Sequence, residues 1–368
     1  MKESKVYILG AGCSYQGDEG YPLARGFIES LSAFATKIST DASKQRILKA
    51  VQETIDLLTR CKSGPAHAST IDQVINLILR HQCDNHLTAT AHSKFPSIEQ
   101  LRMQAVRKAK VATAACFLDK EEVARGALID RYRNFIEHKI LHDGGPSTST
   151  LLRLSNSRAR VLSFNYDRMF ESAFYAAFGD SSLKEWYAYG TKVLNSGLEN
   201  GGKVGEFESD RFCFLKLHGS IGLMCNEDNF GQAVRPISDF ATWVPPSISD
   251  STYFSDQPTW QTWREPLIVF PYEKDFVMSN ANNKFEFRDY IKSVWERASQ
   301  VIQEASEIRV IGYSFDLMDS KYLVNLLRKA EHCKLLVIQN RQDECDRIEQ
   351  LLLDDEIEIP LRKNPVLF

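Results

Sequence analysis

Short apolar runs recur along the chain at wide intervals. Each contains four to six residues, is rich in β-branched and other apolar side chains, and lacks strict alternation with polar positions. This pattern is typical of strands that are covered on both faces of a parallel sheet. The runs are Val6–Leu9, Val161–Phe164, Phe212–Leu217, Leu267–Phe270, Ile308–Ile311 and Leu335–Ile338. The spacing predicts an α/β fold whose mostly parallel sheet is assembled from distant segments.

A helical pattern fills most of the tract between the first two runs. The segment "STIDQVINLILRH" places its isoleucines and valine on one helical face behind a Ser-Thr start signal. The segments "SIEQLRMQAVRKAKVATAACFL" and "EEVARGALIDRYRNFIEHKIL" repeat this periodicity. We therefore predict a large helical insertion at 27–156, carried by an α/β domain that comprises 1–26 and 157–368.

A second tract, 181–266, is rich in Gly, Ser, Asn, Pro and aromatic residues. Its glycines and prolines predict loops, with short strands around the apolar run at 212–217. Long loops near strand ends often line a binding site. The alternative interpretation is a poorly ordered surface excursion.

Composition narrows the function classes. The 368 residues are 43% hydrophobic and carry a net charge of −3, which gives no electrostatic attraction toward nucleic acid or membrane. The eight cysteines are scattered and form no CxxC pair, as expected for reduced thiols. No basic segment precedes an apolar stretch of signal-peptide length, and no apolar run approaches the roughly 20 residues of a membrane helix, so we expect neither element. We therefore predict a cytoplasmic protein without direct contact to nucleic acid or membrane.

The first apolar run ends in "GAGCS", which supplies Gly10, Ala11, Gly12 and Ser14. In a doubly wound sheet the first strand-to-helix turn brings backbone N–H groups to a point where phosphate binds, and glycine permits close approach. The loop that follows could fold over a nucleotide. The motif is not GxGxxG, because position 15 is Tyr15. A plain tight turn is an equal alternative.

The second run ends in "SFNYD" and delivers Asn165 and Asp167 to the carboxyl end of a strand. An amide there can hold a water molecule or a ribose hydroxyl, and a carboxylate can accept a hydrogen bond from a ligand amide. Both residue types also cap helices, and an apolar helical pattern follows. For these two residues alone, a helix cap is the favoured interpretation.

Three further strand ends carry polar or small residues. "FLKLHGSIG" presents His218 beside a glycine, where a neutral imidazole suits proton transfer, although a structural histidine is an equal alternative. "VIGYSFDLMD" supplies Gly312, Ser314 and Asp319, and "VIQN" ends in Asn340. The sequence thus predicts that several strand ends converge on one site.

Taken in chain order, GAGCS, SFNYD, LHGS, GYSF and VIQN resemble the NAD-binding and catalytic motifs of the sirtuin superfamily. The likeness is strongest to the sirtuin-like domains of bacterial antiphage defence proteins. It implies a Rossmann-like, doubly wound NAD-binding fold. It also implies residue roles: the pyrophosphate turn for Gly10, Ala11, Gly12 and Ser14, the attacking water for Asn165, the nicotinamide carboxamide for Asp167, a ribose hydroxyl for His218, phosphate or ribose for Gly312 and Ser314, and the adenosine ribose for Asn340.

The chain departs from the deacylases of that superfamily. They carry a zinc-ribbon module built on paired CxxC motifs, which this sequence lacks, so we expect no such module and no metal. The resemblance therefore implies an NAD⁺ glycohydrolase that takes NAD as substrate and releases nicotinamide and ADP-ribose, as the NAD-depleting effector of a defence system. One alternative is a non-catalytic sensor that binds NAD or ADP-ribose and signals through assembly. Another is an NAD-dependent deacylase.

An unregulated NAD-degrading enzyme would poison its host, so we expect its activity to be gated. By analogy with defence systems, the resemblance implies a homo-oligomer and a separate activator, such as a HerA-type ATPase or a short Argonaute. Within the insertion, "VRKAKVATAACFL" carries apolar faces that we interpret as an assembly surface.

Overall fold

The computed structural model describes residues 4–15, 21, 26–63, 70–80, 82, 97–145, 149–178, 212–225, 234–236, 248–254, 265–274, 288–315 and 320–365. In chain order the strands are β1 (Lys5–Leu9), β2 (Ala159–Ser163), β3 (Cys213–Lys216), β4 (Gly219–Cys225), β5 (Val234–Pro236), β6 (Glu265–Ile268), β7 (Glu307–Ile311), β8 (Leu335–Gln339) and β9 (Leu361–Asn364). The helices are α1 (Phe27–Ile38), α2 (Gln45–Ser63), α3 (Ile71–Leu79), α4 (Ile98–Phe135), α5 (Thr150–Asn156), α6 (Met169–Phe178), α7 (Asp250–Tyr253), α8 (Arg288–Gln303), α9 (Ser320–Leu327) and α10 (Gln342–Asp354).

Six parallel strands form the central sheet, in the order β3-β2-β1-β7-β8-β9. Every residue of β2 and β3 is buried, as the apolar runs predict. The fold is α/β and Rossmann-like, with a doubly wound sheet, and helices α1 to α5 lie between β1 and β2. The predicted fold class is confirmed.

A second, antiparallel sheet corrects one prediction. The run Leu267–Phe270 does not join the parallel sheet; its strand β6 pairs with β4 in a three-stranded sheet of order β5-β4-β6. A short apolar run indicates that a strand is buried, but it does not show which strand pairs with it or whether the pairing is parallel. The sequence therefore could not assign β6 to the second sheet. Strand β9 escaped prediction because its sequence, LRKN, is polar and partly exposed at the sheet edge.

Capping explains where two helices of the insertion begin. Thr70 accepts a hydrogen bond from the backbone N–H of Gln73, whose side chain accepts one from the backbone of Thr70. Ser97 and Gln100 form the same reciprocal pair at the start of α4. The segments that begin with SIEQ and EEVA belong to the single helix α4. This helix continues as a π-helical turn through Ile136–Leu141.

The buried side chains form two hydrophobic clusters. The first covers the parallel sheet and includes Leu128 and Tyr132 from the end of α4. The second lies among α1, α2, α3 and the first part of α4, together with residues of β4 and β6. The side chain of Phe117, in the middle of α4, packs against both clusters. The domain boundaries at 1–26, 27–156 and 157–368 stay a prediction.

The segment "VRKAKVATAACFL" does not present an apolar surface. Val106, Ala112 and Cys116 are all buried in the second cluster. The interpretation of this segment as an exposed assembly face is therefore wrong, because its apolar face packs against the other helices of the insertion. Among the described helices, none combines the length and the apolar character needed to cross a membrane.

Candidate functional site

The carboxyl ends of five parallel strands meet at one edge of the sheet. Leu9 at the end of β1 pairs with Ser163 and Ile311, which in turn pair with Lys216 and Gln339 at the ends of β3 and β8. Ligands of open α/β sheets bind at this edge. The predicted site residues that follow these strand ends are Gly10, Ala11, Gly12, Ser14, Asn165, Asp167, His218, Gly312, Ser314 and Asn340.

The glycines of the first turn allow two loops to touch. The N–H of Gly10 donates to the carbonyl of Ile311 at 2.9 Å, and that of Gly12 donates to the carbonyl of Gly312 at 2.8 Å. A Cβ on Gly10 would lie 2.4 Å from the Cα of Tyr313, and one on Gly12 would lie 2.9 Å from the carbonyl oxygen of Gly312. A tight turn packed on its neighbour thus accounts for both glycines. Their role toward phosphate stays a prediction.

Ser14, Asn165 and Tyr132 form a buried polar cluster. The Oγ of Ser14 lies 2.9 Å from the hydroxyl of Tyr132, and Nδ2 of Asn165 donates to the same Oγ at 3.4 Å. Each of the three residues is at least nine-tenths buried. The structure therefore joins the first turn to the loop after β2, and adds a tyrosine that the sequence did not predict.

The oxygen of the Asn165 amide, Oδ1, is a buried hydrogen-bond acceptor. None of the described residues donates a hydrogen bond to its Oδ1. A buried acceptor left unsatisfied costs about 1–3 kcal/mol, and such groups in native proteins commonly serve a ligand or a water molecule. An amide oxygen of this kind fits a donor such as a ribose hydroxyl or a water.

A second side chain of helix α4 also contacts the first turn. The guanidinium of Arg131 donates to the carbonyls of Cys13, at 3.1 Å, and Tyr15, at 3.3 Å. Consecutive residues of one helix, Arg131 and Tyr132, therefore both contact this turn. The predicted covering loop runs from Tyr15 to Tyr21, and its residues 16–20 lie outside the described part of the chain.

Asp167 serves as a helix cap. Its Oδ1 accepts a hydrogen bond from the N–H of Met169 at 3.0 Å, which stabilises the start of α6. The ammonium of Lys216, on β3, donates to the backbone carbonyl of Asp167 and lies 3.4 Å from the carboxylate of Glu171. All of these groups are buried, and burial raises the pKa of Glu171. The capping interpretation is confirmed for Asp167 but not for Asn165, whose side chain donates to Ser14. Contact of Asp167 with nicotinamide stays a prediction.

His218 lies among aromatic rings. Its imidazole stands edge-on to Phe164, with ring centroids 5.1 Å apart, and lies 6.0 Å from Tyr166 and 6.4 Å from Trp295. The indole N–H of Trp295 donates to the backbone carbonyl that precedes the histidine, at 2.8 Å. Phe164 and Tyr166 are the two chain neighbours of Asn165. The imidazole thus packs against both residues that flank the candidate amide.

The loop after β7 is held by Asn340. Its Nδ2 donates to the carbonyl of Tyr313 at 3.1 Å, and its Oδ1 accepts from the N–H of Arg341 at 2.9 Å. Ser314 is exposed at the same edge, whereas Asp319 lies outside the described residues. The amide of Asn340 therefore braces two loops, and its contact with a ribose stays a prediction.

The described part of the chain contains no candidate metal site. Its His, Cys, Asp and Glu side chains form no group of three or more that could hold a metal ion. The cysteines whose side chains are described there form no disulfide, and burial raises the pKa of Cys213 to about 11.

The sequence matches no family model and no curated protein.

Proposed function

We propose that the protein is an NAD⁺ glycohydrolase, which splits NAD⁺ into nicotinamide and ADP-ribose. The observation that supports this most is the meeting of five ordered motifs at one sheet edge. There the amide oxygen of Asn165 is a buried acceptor, and the imidazole of His218 packs against Phe164, the residue that precedes Asn165. Ligand binding at this edge is typical of doubly wound folds.

The reaction breaks the bond between C1 of the ribose and the nicotinamide nitrogen. The transition state resembles an oxocarbenium ion, as in other glycosidic cleavages. The pyridinium departs as neutral nicotinamide, so no strong general acid is required. A water molecule adds to C1, loses a proton and completes ADP-ribose.

In this proposal three side chains at the sheet edge orient the reactants. The Oδ1 of Asn165 accepts a hydrogen bond from the attacking water, His218 orients or deprotonates a ribose hydroxyl, and Asp167 receives the carboxamide of nicotinamide. Such positioning supplies up to about 7–11 kcal/mol in the best intramolecular reactions. Gly10, Gly12 and their neighbours in the first turn lie beside the pyrophosphate, where Ser14 adds a hydroxyl.

Product analysis tests the proposal. Purified protein is incubated with NAD⁺, and nicotinamide and ADP-ribose are separated and quantified. We expect Asn165→Ala and His218→Ala to lower turnover at least about 100-fold, the range for loss of an acid–base or orienting group.

Two variants at exposed sites serve as controls. Asn156 and His332 are exposed, so Asn156→Ala and His332→Ala should keep the wild-type rate. Circular dichroism of all four variants checks that the fold is retained. Wild-type rates in both Asn165→Ala and His218→Ala would overturn the residue assignment, and tight binding of NAD⁺ without any nicotinamide release would identify a sensor instead.

We also propose that a partner or self-assembly gates this activity, in the cytoplasm where NAD is abundant. The assay is therefore run alone and with the product of each neighbouring gene. The resemblance to defence proteins implies a HerA-type ATPase or a short Argonaute as the partner. Light scattering reports the oligomeric state under the same conditions. Full activity of a monomer without any added protein would contradict the gating proposal.

A further inference from the structure

We propose that Tyr132, on the helical insertion, is a positioning residue for the proposed hydrolysis: its hydroxyl fixes the orientation of the Asn165 amide through Ser14. The inference rests on the proposed function, because the amide is the group that would hold the attacking water. It assigns a role to a residue that belongs to none of the five motifs.

The protons of the cluster decide which way the Asn165 amide faces. The hydroxyl of Ser14 carries one proton and can accept two hydrogen bonds. Its Oγ lies 2.9 Å from the Tyr132 hydroxyl and accepts from Nδ2 of Asn165. The contact between the two hydroxyls permits either one to be the donor, and in the proposed arrangement Ser14 donates its proton to Tyr132, so that Ser14 can only accept from Asn165. The amide nitrogen then faces Ser14, and Oδ1 is left as the acceptor on the other side.

Without the tyrosine hydroxyl this selection is lost. Ser14 then has a proton to give to Oδ1 of Asn165, and the amide can rotate by half a turn with no loss of hydrogen bonds. The rotated amide presents an NH₂ donor where the water needs an acceptor. Because water both donates and accepts hydrogen bonds, the rotated amide still binds it. A lone pair of the water then points toward the amide NH₂ group and not toward C1 of the ribose.

The position of the tyrosine hydroxyl is itself fixed by packing. The ring of Tyr132 is 1% exposed and stands edge-on to Phe170, with centroids 5.9 Å apart. Burial raises the pKa of the phenol well above its ordinary value. The neighbouring Arg131 anchors the same helix turn to the carbonyls of Cys13 and Tyr15.

The substitution Tyr132→Phe tests the inference, because it keeps the buried ring and removes only the hydroxyl. We expect kcat for NAD⁺ hydrolysis to fall about 10- to 100-fold, as for a small misplacement of a reacting group, while KM changes less than about threefold. Tyr7→Phe is the matched control: Tyr7 is also a buried tyrosine, 2% exposed, that packs edge-on against a phenylalanine, and its variant should keep the wild-type kcat.

A second readout does not depend on turnover. In protein labelled with ¹⁵N-asparagine, the side-chain amide signals of Asn165 are identified by their loss in Asn165→Ala. We expect Tyr132→Phe to shift these signals and to speed their exchange with solvent, while Tyr7→Phe leaves them unchanged.

The two readouts separate the inference from the proposed function. If the wild-type protein hydrolyses NAD⁺ and Tyr132→Phe retains its kcat within twofold, the inference is overturned. If the wild-type protein leaves NAD⁺ intact, the proposed function fails, and unshifted Asn165 signals in Tyr132→Phe then overturn the positioning role as well. Shifted signals support the positioning of the amide by Tyr132, unless the wild-type protein is active and Tyr132→Phe retains its kcat.

Discussion

Gly312 occupies a position that admits no side chain. Its φ of +61° is in the left-handed region, and a Cβ there would lie 2.6 Å from the backbone nitrogen of Cys13. The atom it would meet is backbone and cannot rotate away. We expect Gly312→Ala to lower the free energy of unfolding by about 2–4 kcal/mol, measured by urea denaturation, from the left-handed strain together with overpacking.

Gly126 provides the matched control for that substitution. It lies exposed in helix α4, and a Cβ there would have nothing within 4 Å. Gly126→Ala should therefore stabilise the protein by about 0.5–1 kcal/mol, through helix propensity alone. Equal effects of the two substitutions would contradict the packing argument at Gly312.

Some single residues of the candidate site could be predicted from the sequence, and others could not. Asn165 and His218 follow apolar runs, so their place at a strand end could be read from local pattern. Tyr132 lies within an ordinary helical pattern, 118 residues from Ser14 in the chain, and nothing local distinguishes it. Trp295 escaped prediction for the same reason, because its hydrogen bond spans 78 residues.

Among the elements, a buried ion pair connects helix α4 to the loop before α6. The guanidinium of Arg168 donates two hydrogen bonds to the carboxylate of Glu121, at 3.1 and 3.0 Å, and both side chains are buried. We expect Glu121→Gln to cost about 3–5 kcal/mol of unfolding free energy, because a buried cation loses its charge partner.

An exposed pair supplies the comparison. The ammonium of Lys363 lies 2.9 Å from the carboxylate of Glu349 at the surface, so Glu349→Gln should cost less than about 1 kcal/mol. Thermal or urea unfolding of both variants measures the difference. A similar small cost at both sites would show that the Arg168 charge is already well solvated or otherwise compensated.

The elements themselves were predictable to unequal degrees. Buried strands such as β2 and β8 stand out because their runs are almost entirely apolar. Strand β9 does not, since an edge strand needs few apolar residues, and the pairing of β6 depends on partners far along the chain. Helix α4 was predicted as helical, but its continuity was not, because periodicity does not reveal where a pattern is uninterrupted.

For the molecule as a whole, α4 joins the two hydrophobic clusters. Its 38 residues span about 57 Å at the usual helical rise, with Leu118 in one cluster and Leu128 in the other. We expect a single cooperative transition in calorimetry. Leu118→Ala and Leu128→Ala should each cost about 2–5 kcal/mol and lower its midpoint without splitting it. Two transitions, each moved by only one of the variants, would contradict this expectation.

The location of Arg131 and Tyr132 in the chain limits how this protein can be shortened. Both residues that clasp the first turn come from a helix inserted between the first and second strands. A trimmed version that splices residue 26 to residue 157 would keep every recognisable motif yet lack these two side chains. Inactivity of such a trimmed protein would accordingly say nothing about the chemistry of the intact chain.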